Sequence, residues 1–264
     1  MRSLTRLTTL ARSRSASPAR VLLLAIACLA SLATSAHADL PVVGTLVARA
    51  DALRQLYPDA IIQVRMTRQS GEDAGRQSLL QVAVHGTDVS LIRVLQGIDQ
   101  GQQILLRPEG IWVKLPRSAR AIRITPMQRL LGDASVGDIG RLRWQDDYEA
   151  RFAEPAEVVF EGQPAWRIDL VARSAAAAYP RILATLARSD ARPLQAEFFL
   201  KSGKAVKSVR FGPVEAVNDR RGIRRMEFRD LLRGEGVTLV VQEKVEPRAL
   251  DERLFSLESL GSWQ

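Results

Sequence analysis

Beyond residue 59 the apolar side chains of this 264-residue chain fall on every second position, and that rhythm restricts it to sheet architectures. Ala60, Ile62, Val64 and Met66 alternate with Gln63, Arg65 and Thr67, the pattern of a strand with one buried face. Residues 70–75 are rich in turn formers, and 80–84 return as the partner strand. Further strands are expected at 89–95, 104–107, 111–115 and 121–125, then at 148–152, 157–160, 165–172, 182–188, 194–200, 205–211, 223–231 and 237–245. Short strands at 8–12-residue spacing, joined by turn residues, make an antiparallel meander. Lys201-Ser202-Gly203-Lys204 reads as a hairpin turn with glycine where positive φ is wanted.

Helical spacing is rarer. Val43, Leu46, Val47, Ala50 and Leu53 lie on one side of a helix over 42–56, with Arg49, Asp51 and Arg54 on the other, and Pro58 ends it. Met127, Leu130 and Leu131 share helical spacing, and Asp138 is placed to cap a short helix running to Leu142. The tail, 247–261, reads as a final short helix or lid.

The N-terminus follows another logic. Arg2, Arg6, Arg12, Arg14 and Arg20 stand in a segment without acidic residues, then come the apolar stretch 21–33 and Ala36-His37-Ala38. This is the arrangement of a secretory signal cleaved after Ala38, and the stretch is shorter than the roughly 20 residues of a permanent span. Cys28 is a poor lipidation site, because the residues before it match the lipobox weakly and the chain stays apolar beyond it. The expected organisation is a signal at 1–38 and a single domain at 39–264, released into the periplasm. Loss of the signal takes the formal charge from +9 to +4 and leaves no cysteine and one histidine, His85. Such a domain rests on packing alone.

That inventory removes most catalytic chemistry. One histidine and no cysteine exclude Cys/His zinc sites and thiol nucleophiles, and no cofactor or metal site is expected. Asp133, Asp138, Asp146, Asp147 and Glu149 cluster in sequence and would suit paired acid–base work, but caps, turns and a strand entry account for them. Gly132–Gly140 lacks the Lys-Ser/Thr of a phosphate loop. Lys201, Lys204, Lys207 and Arg210, with Arg220, Arg221, Arg224 and Arg225, read as solvent-facing strand residues; nucleic acid is not an expected partner. The chain is expected to be a monomer and not an enzyme.

Two features remain. Leu79-Leu80, Ile104-Leu105-Leu106 and Phe198-Phe199-Leu200 place apolar side chains on both strand faces. Burial beneath helices explains this, and so does a sheet curved around a hydrophobic cavity. Arg93 shares a face with Val89, Leu91 and Leu95; either its stem packs and its head is wet, or it ties a lid across a cavity mouth.

The stretch 101–148 carries Gly110-x-Trp112-x-x-Leu115-Pro116, a basic run at 117–123, Gly132-Asp133-Ala134-Ser135 and Asp147-Tyr148. Together with the run 198–207 it resembles the outer-membrane lipoprotein-sorting family, relatives of the LolA and LolB periplasmic carriers. Lys114 departs from the pattern, which commonly has an aromatic there. The resemblance implies a mainly β fold with few helices: an unclosed, strongly curved antiparallel β-barrel with helices plugging its concave face. It also implies binding of a lipid or lipoprotein acyl chain there, for transfer toward the outer membrane. The expected lining is Ile62, Val64, Met66, Ile111, Val113, Leu115, Met127, Leu130, Leu131, Trp166, Ile168 and Leu170, with Arg93 as lid anchor and the N-terminal helix, 127–142 and the C-terminal segment as a movable lid. Full burial of a 16-carbon chain would contribute on the order of 12 kcal/mol, and two or three such chains would pass the affinity ceiling near 20 kcal/mol. A carrier therefore covers its cargo partially or closes over it. Two other classes fit the residues less well: an accessory module docking on an RND-type exporter or an outer-membrane acceptor, and an envelope hydrolase using the 133–149 carboxylates.

Overall fold

The computed structural model describes residues 40–71, 73–125, 134, 136–140, 143–174, 177–232 and 236–263. The signal segment with Cys28, and also Met127, Leu130, Leu131 and Asp133, lie outside the described residues.

The meander predicted from alternation is present as one antiparallel sheet. Helix α1 (Val43–Arg54) precedes strands β1 (Asp59–Ser70), β2 (Gln77–His85), β3 (Val89–Gln96), β4 (Gln103–Arg107), β5 (Gly110–Lys114) and β6 (Ile122–Ile124). Two short helices, α2 (Val136–Gly140) and α3 (Trp144–Asp147), lead into β7 (Tyr148–Phe160), β8 (Gln163–Ala172), β9 (Arg181–Ala187), β10 (Pro193–Phe199) and β11 (Ala205–Phe211). A separate hairpin, β12 (Val214–Val217) with β13 (Arg220–Ile223), comes before β14 (Arg225–Asp230) and β15 (Val237–Pro247). Thirteen strands pair in the order β6-β5-β4-β3-β2-β1-β15-β14-β11-β10-β9-β8-β7. Most neighbours in sequence are neighbours in space; β14 pairs with β11 across the separate hairpin, and β15 returns to pair with β1, Ala60 opposite Pro247. Strands β6 and β7 are the two edges; the barrel is unclosed, as the resemblance implied.

Alternation fixes the faces. Inward residues of β1–β5, β8–β11, β14 and β15 form one continuous buried cluster with Leu46, Val47 and Ala50 of α1, Ile139 of α2 and Trp144 of α3. The sheet therefore curls around its own helices. At the β10–β11 hairpin Gly203 has φ +81°, the left-handed value the turn requires.

The outer face of β2–β4 carries a second cluster. Ala83, Leu91 and Leu105 pack against Phe255 and Leu260 of the C-terminal segment. Gln103 holds that segment at its other end: its Nε2 donates to the Trp263 carbonyl (2.9 Å) and its Oε1 accepts from the Gly261 amide (2.8 Å). The C-terminal segment is thus a strap on the outside of the sheet, not part of a lid over the hollow. The doubly apolar stretch 104–106 follows directly: Ile104 and Leu106 face the helices, Leu105 the strap.

Candidate functional site

What covers the hollow is short and held by polar contacts. Asp51 and Arg54 of α1, expected on a solvated side, are 2% and 5% exposed. Arg54 Nη2 donates to Asp51 Oδ1, and the same carboxylate accepts from the Trp144 amide (3.0 Å) and the Gln145 amide (2.8 Å). Asp51 therefore satisfies the free N–H groups at the start of α3 from a neighbouring helix. The Arg54 guanidinium lies 3.5 Å from the Trp144 ring centroid. Burial lowers the Arg54 pKa against the opposing pull of Asp51.

Helix α2 is fastened by an ion pair. Lys207 Nζ of β11 donates to Asp138 Oδ2 at 2.5 Å, both side chains being under 5% exposed, and Tyr179 Oη reaches the same oxygen at 3.4 Å. Asp138 is thus an internal residue of α2 paired across the hollow rather than its cap. Lys207, expected to face solvent, points inward because it lies two residues from the core residue Val209 and shares its face. At the end of α2, Gly140 sits so close to β3 and β4 that a Cβ there would fall 2.7 Å from Leu106 Cδ2 and Ser90 Oγ. Ser90 Oγ donates to the Gly140 carbonyl at 3.0 Å.

Two interior pockets flank this plug. One, about 40 Å³, is aromatic and charged, bordered by Arg54, Asp138, Trp144, Tyr148, Tyr179 and Phe228. The other, about 20 Å³, is aliphatic, bordered by Ile62, Val64, Val82, Val84, Ile139 and Val240. Met226 borders both. Together they hold a few water-sized molecules and not an acyl chain. In this state the hollow is filled by the protein's own side chains.

The residues singled out from sequence divide accordingly. Ile62 and Val64 line the aliphatic pocket, while Met66, Ile111, Val113, Trp166, Ile168 and Leu170 are buried in the inner cluster away from either pocket. Leu115 lies beyond the end of β5 and is 39% exposed. Arg93 is on the outer face with Leu91, opposite Gln81 and Gln103, so it does not reach the mouth of the hollow. Among the carboxylates, Asp146 pairs with Arg143 at 3.1 Å, Glu149 is exposed on β7, and Asp138, held by Lys207, borders the aromatic pocket together with Asp147. His85 Nδ1 lies 2.5 Å from Asp59 Oδ1, and its ring stacks on Phe255 beneath the strap. Among the described residues no group of three or more His, Cys, Asp or Glu is arranged to hold a metal, and no helix is long and apolar enough to cross a membrane. Arg54, Trp144, Tyr179 and Phe228 were missed as pocket residues; the buried pair Asp51–Arg54 left no trace in a pattern that looked like a polar helix face.

A family model described only as an uncharacterized protein matches residues 86–262. The chain belongs to that family. Solved structures share the chain's fold. A LolA superfamily protein from Nitrosomonas europaea is 22% identical, with a TM-score of 0.77 over 84% of this chain and 100% of that one. A putative outer membrane lipoprotein-sorting protein domain from Vibrio parahaemolyticus is 17% identical, with a TM-score of 0.65 over 81% of this chain and 97% of that one. No curated protein matches the chain. The chain thus has the LolA fold, and the resemblance read from residues 101–148 and 198–207 holds at that level.

Proposed function

We propose that the protein is a periplasmic carrier that receives a lipid or lipoprotein acyl chain in the hollow of its sheet and passes it toward the outer membrane, without catalysing a reaction. One observation carries this reading: the inner face is apolar across most of the sheet, yet what covers it is three short helices that bring few apolar side chains, Leu46, Val47, Ala50, Ile139 and Trp144 among them, and are tied down by polar contacts. An apolar floor under a polar-fastened cover is suited to exchange, since leaving the floor exposes surface that an acyl chain can cover instead. The chain's entry displaces α2 and α3, and Ile62, Val64 and the neighbouring inner residues become the cargo-facing wall. The LolA-like neighbours and the N-terminal segment, which reads as a cleaved signal, support the compartment.

Native mass spectrometry of the protein released gently from the periplasm tests it. Co-purifying lipid or acylated peptide is expected; spectra that stay ligand-free after incubation with membrane lipid extract sink the reading. The filling of the hollow favours one second reading, an accessory module docking on an envelope exporter with its interior permanently closed. Capture of such an exporter by the lipid-free protein would support it.

A further inference from the structure

The aromatic pocket contains a donor without an acceptor. Arg54 is 5% exposed and lines this pocket, and its Nε has no hydrogen-bond partner among the described residues. A buried guanidinium N–H left unpaired carries a desolvation cost that a ligand oxygen would relieve. The acids nearby, Asp51, Asp138 and Asp147, are engaged. Asp51 divides its two oxygens among Arg54, the Trp144 amide and the Gln145 amide, and Asp138 is held by Lys207 and Tyr179. Asp51 answers the Arg54 charge, and what stays unmet is the Nε donor. Arg143, ion-paired with Asp146 at 3.1 Å, is a second cation on the same wall, its side chain about one-third exposed. The volume, about 40 Å³, suits a head group of a few atoms, and across Met226 the adjoining pocket is mainly aliphatic on its sheet side, with Gln242 its polar residue there.

We infer that the ligand is an anionic amphiphile, its oxyanion head received by Arg54 in the aromatic pocket and its tail laid over the aliphatic one. This rests on the carrier reading and narrows it: an apolar hollow alone takes any acyl chain, whereas a buried guanidinium with an unmet Nε–H favours an oxyanion head.

The test compares two amphiphiles with one tail, hexadecanoate and hexadecanol, titrated into delipidated mature protein and followed by native mass spectrometry and tryptophan fluorescence. Hexadecanoate is expected to bind at least about tenfold more tightly, the size of a charge-assisted hydrogen bond. In Arg54→Met the preference disappears while hexadecanol binding persists. Arg54→Lys retains part of it. Because Arg54→Met leaves Asp51 buried without its cation, the double variant Asp51→Asn with Arg54→Met serves if the single one fails to fold. Equal affinity for the two amphiphiles in the wild-type protein, a comparison that needs no variant, overturns the inference and leaves the carrier standing. Failure of both to bind removes the carrier reading and this one with it.

Discussion

Lys207 and Asp138 show how a single pair of residues can decide whether the hollow is covered. Both are buried, and the ion pair joins a five-residue helix to the sheet. Removing one partner of a buried pair typically costs about 3–5 kcal/mol, because the other charge is left in an apolar setting. Lys207→Met is therefore expected to lower the stability measured by urea denaturation by about 3 kcal/mol. Lys207→Met combined with Asp138→Leu should regain most of that loss. On the outer face Asp169 behaves differently. Its own burial would raise its carboxyl pKa, but the guanidiniums of Arg181 and Arg151 more than offset this and leave it below the usual range. A depressed carboxylate contributes stability above its unfolded pKa, near 4, and loses it as the pH falls further. Since Arg151 and Arg181 are 69% and 43% exposed, the contribution is about 1 kcal/mol or less. Asp169→Asn should be less stable than the wild type by that amount at pH 7, and the two urea midpoints should converge as the pH falls below about 4.

At the scale of elements, the strap is the clearest case of a segment whose place was hidden. Period-two alternation made nearly every strand of the sheet legible, since each needs only its own residues to declare a buried face. The β12–β13 hairpin was not separated from β14, because Arg220, Arg221, Arg224 and Arg225 obscure its alternation. Leu91 and Leu105 announced a second apolar face, but their partners Phe255 and Leu260 lie some 150 residues away, a distance over which local pattern carries no information. Lys207 was misread for a related reason: residues 201, 204, 207 and 210 are three apart and so alternate between the faces of a strand. The inner wall was legible; the polar fastenings of α1–α3, which are purely tertiary, were not. Phe255→Ala should cost about 3–4 kcal/mol, as for large apolar side chains removed from a buried cluster. It should also raise binding of a hydrophobic dye, as Leu91 and Leu105 lose their cover.

Across the whole molecule, protection against exchange should follow the order of the sheet. Strand β1 pairs on both sides, with β2 and β15, along almost its whole length, whereas α2 and α3 rest on a handful of polar contacts. Hydrogen exchange is expected to be slowest in β1, β2 and β15 and much faster in α2 and α3, with the difference shrinking once an amphiphile is bound. Uniform protection across both regions would mean that the cover does not move independently of the sheet.

The pairing of β15 with β1 has one more consequence. The last long strand lies in the middle of the sheet, so the two meanders on either side cannot be joined until it has been made. Closing a contact between Ala60 and Pro247 is slow compared with local turns, and until it forms the growing chain has no complete floor on which to settle. A polypeptide built this way completes its sheet only once residues 237–247 have been made. That delay suits the export proposed above, since passage through a narrow translocation channel needs an unfolded chain.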